Sequence, residues 1–259
     1  MSKIQDLLKV EWFILKQYKP FWINILCGFL MSASIPLLFK YFDFGANNRF
    51  ERIFINAFDF PLIINTISVI SLYSIHFYSF LIIIYVCEEF ENKTYKLFLL
   101  NNYSRNDLWI RKQILIILLC LTQLLLILIL SFLIGSDSLR NFSSISLKWG
   151  GIFLIQSFFY LNTAMLIATY IKKTGTSILI YILYFLILDR IIGHFIDFPF
   201  KLYPLGSLMP GKVIEELSYL KSGSNILIVH HGYFELRIIF SVLWVLFVLY
   251  LSNKKYKSL

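Results

Sequence analysis

Three runs of this chain contain no charged side chain: Phe60 to Cys87, Gln113 to Ser136 and Trp149 to Ile171. Each reaches the roughly 20 residues that a helix needs to cross about 30 Å of hydrocarbon. A fourth run, Pro20 to Phe39, is nearly as long, while Thr174 to Leu188 and Ile238 to Asn253 reach full length only with their flanks. The hydrophobic share is 58%, the charged share 15% and the mean hydropathy +0.73, too much apolar surface for one soluble core. The expected fold is an all-α membrane protein, a single transmembrane domain over residues 1–259. Its six transmembrane helices are expected near 20–40, 60–87, 113–135, 149–171, 174–196 and 237–253.

The N-terminus has mixed charge through Lys19 and lacks the apolar core of a cleaved signal, so the first span is expected to stay. Within Ile4 to Tyr18, the side chains of Ile4, Leu7, Leu8, Ile14, Leu15 and Tyr18 share one helical face, with Lys9 and Lys16 opposite. This pattern predicts an interface helix over 3–19 lying on the membrane lipid. Glu11 falls in the apolar stripe. Either its carboxylate snorkels to water or a basic group stands nearby.

The net charge of +9 comes from Lys and Arg that flank spans rather than forming an aromatic-interleaved soluble face, so nucleic acid is not the expected partner. Lys3, Lys9, Lys16 and Lys19, the cluster from Lys93 to Lys112, Lys172 and Lys173, and the group Lys254, Lys255 and Lys257 fall on one side of the six-span layout. The positive-inside bias makes that side cytoplasmic and puts both termini there, in the cytoplasmic (inner) membrane. Cys27, Cys87 and Cys120 lie in or beside apolar runs without metal-ligand spacing and read as packing residues.

The polar segment from Glu88 to Asp107 lies between two apolar runs. Ser104-Arg105-Asn106-Asp107 fits the capping pattern that starts a helix leading into the third span, and Asn101-Asn102 is a break before it. Tyr95 to Leu100 is a short stretch too apolar to be left in water. It either docks into a cleft of a partner or lies on the bilayer. Leu97 to Leu100 would form the docking surface, with Glu89 and Glu91 as a charged shoulder.

Glu89-Phe90-Glu91-Asn92-Lys93-Thr94-Tyr95-Lys96-Leu97, followed by Leu99-Leu100-Asn101-Asn102-Tyr103-Ser104-Arg105 and Lys112, resembles the cytoplasmic loop of ABC transporter permeases of the type-2 exporter family. Those loops run acidic residues, a Gly-Thr turn, apolar residues and Pro-x-Ser-Arg; here Lys93 replaces the Gly and Asn102 the Pro. The six-span layout, the N-terminal interface helix and the long last outer loop are similar too. The resemblance implies a coupling helix between spans 2 and 3 that sits on a separate ABC ATP-binding subunit, with Glu89, Glu91, Thr94, Leu97, Leu100, Ser104 and Arg105 as its ATPase-coupling residues. It also implies a second permease subunit, in a homo- or heterodimer, and no catalysis in this chain, ATP and Mg²⁺ being bound by the partner. Gly206 to Val213 mimics a phosphate-binding loop, but Val213 stands where a Mg²⁺-binding Ser or Thr belongs.

Inside the spans, Asn65, Ser68, His76 and Ser79 form one polar stripe and Gln156, Tyr160, Thr163 and Tyr170 another. Such stripes either glue helices together or line a path, so Asn65, His76, Gln156, Tyr160 and Thr163 are candidates for a translocation path. Asp189-Arg190 follows the Lys172-Lys173 pair by a distance of roughly 22 Å along a helix. It marks either the outer end of a path or a self-neutralising cap. Two other functions stay open. Glu88-Glu89 with the histidines loosely resembles the Glu-Glu-x-x-x-Arg membrane proteases, although Lys93 stands where Arg is required. A non-transporting scaffold or sensor subunit would keep the same layout.

Overall fold

The computed structural model describes residues 3–41, 62–134, 144–197, 209–215, 217 and 234–258. Among them the chain is all helical, and five helices are long and apolar enough to cross a membrane. It is a multi-pass membrane protein. The elements are α1 (Lys3–Gln17), α2 (Lys19–Tyr41), α3 (Leu62–Glu91), α4 (Thr94–Leu100), α5 (Arg105–Ile134) and α6 (Ser144–Ile171), then α7 (Thr174–Ile182), α8 (Asp189–Asp197), α9 (Pro210–Glu215) and α10 (Phe234–Lys257).

The five long apolar helices are α2, α3, α5, α6 and α10. Burial ranks them: in their most apolar windows α3 is 61% and α6 67% buried, against 22% for α2 and for α10. The central pair carries the polar stripes, and the peripheral pair exposes Leu and Phe where lipid would lie. This follows from the cost of leaving hydroxyls, amides and imidazoles in hydrocarbon. α2 approaches α3 closely at Gly28, where an added Cβ would stand 2.6 Å from the ring of Tyr78. Ser32 of α2, Ser74 of α3 and Gln123 of α5 meet in a buried triad: the Gln123 amide donates to both hydroxyls, at 2.8 and 2.7 Å, and the Ser32 hydroxyl donates to that of Ser74 at 2.8 Å.

The segment expected as the span 174–196 is continuous helix of mixed type. α7 runs through a π-helical turn, Leu183–Leu188, directly into α8. Ser177, Tyr181, Phe185, Asp189 and Gly193 are all buried, a stripe at every fourth residue. A regular α-helix turns such a stripe by about 40° at each step. The wider i→i+5 turn takes up that drift and keeps the stripe facing the bundle.

The segment around α9 is buried at Val213, Ile214 and Leu217. The Gln156 amide donates to the Ile214 carbonyl at 2.6 Å, and the Gly211 N–H donates to buried Asp189 at 3.1 Å. Gly211 is required there, because a Cβ would meet the Asp189 carboxylate at 2.7 Å. That N–H is satisfied by a carboxylate, so the Gly206 to Val213 spacing does not present a free phosphate cradle at Gly211. Residues 42–61 and 135–143, and His230 and His231, lie outside the described residues.

Candidate functional site

One end of the bundle collects α1, the end of α3, α4, the start of α5 and the end of α10. Glu91 accepts from the Thr174 N–H and hydroxyl at 3.1 and 3.3 Å, Arg105 donates to the Lys257 carbonyl at 2.9 Å, and Trp109 donates to the Ser252 hydroxyl at 3.1 Å. Local rules build the entry into α5. The Asp107 N–H donates to the Ser104 hydroxyl at 3.2 Å, and Asp107 Oδ2 accepts from the Ser104 N–H and hydroxyl at 2.7 Å each. This is the reciprocal capping box that the sequence predicts, with Asp in the acidic position.

α4 has only seven residues, too few to hold a helix in isolation. Two left-handed residues bracket it, Lys93 with φ 57° and Asn102 with φ 62°. Lys93 therefore sits where glycine is least strained, and the Asn102 conformation is one that asparagine tolerates and that proline's ring forbids. The Thr94 hydroxyl donates to the Glu89 carbonyl at 3.2 Å, and the Tyr103 N–H donates to the Phe98 carbonyl at 3.1 Å. The helix divides its apolar side chains. Phe98 and Leu99 turn inward, whereas Leu97 is 59% and Leu100 77% exposed.

Beneath Phe98 lies a buried charge cluster. Arg111 Nε stands 2.9 Å from Glu11 Oε2, and Arg111 also bonds Glu89. Lys112 Nζ stands 3.0 Å from Glu89 and 3.7 Å from Glu11. Two carboxylates and two cations balance, which is the condition for burying them. Aromatic rings close the cluster: the Arg111 guanidinium lies 4.0 Å from the Phe98 ring centre, and Lys112 Nζ lies 3.7 Å from that of Tyr85. Glu11, odd in an apolar stripe, thus finds two basic partners on α5. α1, α3, α4 and α5 are joined at one point.

Glu89 is inside this cluster rather than on the surface as a charged shoulder, because the cations of α5 draw it in. Glu91 is exposed, as are Ser104 and Arg105, and Thr94 is half-buried at the start of α4. Among the path candidates the structure brings together His76 and Tyr160, with ring centres 5.3 Å apart. His76 Nδ1 is 3.0 Å from the Tyr181 hydroxyl, which in turn donates to Ser79 at 2.9 Å, and Phe185 packs on Tyr160 and Tyr181. The other candidates serve packing in part. Thr163 donates to the Phe159 carbonyl of its own helix at 2.9 Å, Gln156 holds α9, and Asn65 is buried. Tyr170 departs from its stripe and is 52% exposed, under Lys255. Tyr181, Phe185, Ser32 and Gln123 carry no local motif, and only their apolar surroundings marked them. Glu89 and His76 lie thirteen residues apart on α3, about 20 Å along the axis, so this acid and imidazole do not converge.

Comparison with protein-family models, with curated proteins and with solved structures finds no match for this chain.

Proposed function

We propose that this chain is the membrane-spanning permease subunit of an ATP-driven ABC exporter, paired with a second permease subunit and coupled to a separate ATP-binding subunit that supplies ATP and Mg²⁺. The observation that carries the reading is α4: a seven-residue helix that exposes Leu97 and Leu100 while Phe98 rests on Arg111 of the buried charge cluster. A push on Leu97 and Leu100 would reach α1, α3 and α5 together, since close-packed, ion-paired elements move as bodies rather than deforming. Such a base suits the coupling helix of an exporter and would be wasted on a helix that only rests on lipid.

The reading includes a sixth crossing beside the five long apolar helices. The end of α10 meets the start of α5, and Thr174 meets the end of α3, which favours a crossing between residues 174 and 234 that brings α10 back. The continuous helix from Thr174 to Asp197 is the element for that crossing. The exposed Lys9, Lys16, Lys93, Lys96, Lys173, Lys254 and Lys257 share the α4 end, which favours a cytoplasmic position for it and for both termini. In this reading His76, Tyr160 and Tyr181 are the polar and aromatic groups that face the translocation path.

The test is purification from native membranes. An ATP-binding protein accompanies the chain, and Leu97→Asp uncouples ATP hydrolysis from transport without lowering thermal stability, because Leu97 is mostly exposed. Purified protein without any ATP-binding companion, together with full transport by Leu97→Asp, would rule the reading out.

A further inference from the structure

A groove of about 380 Å³ opens between α1, the end of α3 and α4. Its walls are Ile14, Tyr18, Tyr85, Leu97 and Phe98, and Glu88 and Glu89 also line it. The two carboxylates differ. Glu89 is taken by Arg111 and Lys112, whereas Glu88 has no basic side chain at ion-pair distance among the described residues. The Tyr18 hydroxyl is buried and faces the Glu88 carboxylate. Burial, a hydrogen bond to Glu88 and the charge of that carboxylate push its pKa above the ordinary tyrosine value, so it stays a neutral hydroxyl whose oxygen can still accept. The Tyr18 ring lies 5.7 Å from that of Tyr85, inclined at 52°.

Around the groove, exposed lysines outnumber the exposed carboxylates Asp6 and Glu91. Lys9, Lys16, Lys19, Lys93 and Lys96 are all exposed. A broadly basic surface would be repelled by that rim, while one cation carried on an acidic or neutral segment would be drawn through it to the carboxylate. Guanidinium and ammonium groups also suit the aromatic wall, and a guanidinium can bond Glu88 and the Tyr18 oxygen together.

We propose that this groove receives one basic side chain, arginine or lysine, from an otherwise acidic or neutral segment of the ATP-binding subunit, with Glu88 as its counter-ion and Tyr18 beside it. The inference rests on the permease reading and specifies the chemistry of the partner's contact. Leu97, on the groove's rim and exposed, supplies the adjoining apolar contact.

The experiment uses the full chain with a photo-reactive amino acid at Leu97, purified with its ATP-binding partner, and sequences the cross-linked peptide. The expected product is a peptide of that partner with a lysine or arginine among carboxylates or neutral residues. In the same complex Glu88→Gln weakens retention of the partner about tenfold and Glu88→Lys more, the loss expected of a charge-assisted contact. Glu235→Gln, exposed at the opposite end of α10, leaves retention unchanged. Thermal melts accompany each variant; if Glu88→Lys does not fold, the near-isosteric Glu88→Gln and Tyr18→Phe decide. A cross-link to phospholipid, or wild-type retention in Glu88→Gln, overturns the groove proposal and leaves the permease reading standing. Absence of any ATP-binding protein from the wild-type preparation defeats that reading instead.

Discussion

Replacing Glu11 by glutamine removes one negative charge from the buried cluster and very little volume. Glu11 stands 2.9 Å from Arg111 and 3.7 Å from Lys112, and those three residues are 3%, 1% and 0% exposed. With Glu11 neutral, Glu89 must balance two buried cations alone. At the effective dielectric of a protein, about 20, each lost attraction is of the order of 4–6 kcal/mol. Part returns through the smaller desolvation cost of glutamine and the relief of repulsion from Glu89. A net loss of about 3 kcal/mol remains, within the range for breaking a buried ion pair. For a chain of this size that corresponds to a fall of about 6–12 °C in apparent Tm. Tryptophan fluorescence during thermal unfolding in detergent follows it, with Trp12 and Trp22, which pack edge to face at 6.4 Å, reporting the α1 and α2 ends. The decisive arm is Glu11→Gln with Lys112→Met, which restores neutrality with Glu89 and Arg111 paired. The double variant is expected to be more stable than Glu11→Gln alone, by about 1–2 kcal/mol. A melt for Glu11→Gln within about 1 kcal/mol of wild type, or a double variant that simply sums the two losses, would refute charge balance as what holds α1 to α5.

The remaining predictions address single positions. Lys93→Gly relieves a left-handed lysine and raises stability by about 1 kcal/mol, whereas Asn102→Pro cannot adopt φ 62° and loses the bond from its N–H to the Leu99 carbonyl, costing about 3 kcal/mol or more; paired melts distinguish the signs. Gly28→Ala forces its methyl against the Tyr78 ring and costs about 1–3 kcal/mol, with the separation of α2 from α3 read by spin labels on the two helices. Gln123→Leu removes both amide bonds to Ser32 and Ser74 and lowers stability by about 1–2 kcal/mol in the same detergent melts; an unchanged melt would mean that the triad adds nothing to helix association.

Much of the layout was legible in the sequence because lipid imposes a simple rule. A run without charge and long enough to cross must become a helix, so the runs near 20–40, 60–87, 113–135, 149–171 and 237–253 each overlap a long apolar helix. Short-range chemistry was equally readable: Ser104 and Asp107 cap α5, and the break at Asn101-Asn102 ends α4. The segment from 174 was harder, because the turn of π-helix is set by which side chains the bundle accepts and leaves no local motif.

The sequence by itself determined that this chain lives in a membrane, that it is helical, and that a polar segment with a short apolar stretch stands between two spans. It also marked Glu11 as misplaced unless paired. Only the tertiary structure decided the partner: residues separated by about a hundred positions in the chain, Glu11 and Arg111, meet because α1 folds back against α5. It likewise decided that Glu89 turns inward while Glu88 is left facing a groove, and that Leu97 and Leu100 rather than Phe98 and Leu99 face outward. Hydropathy is a property of a run and survives any packing, but the pairing of charges and the inner face of a short helix depend on what is brought against them in space.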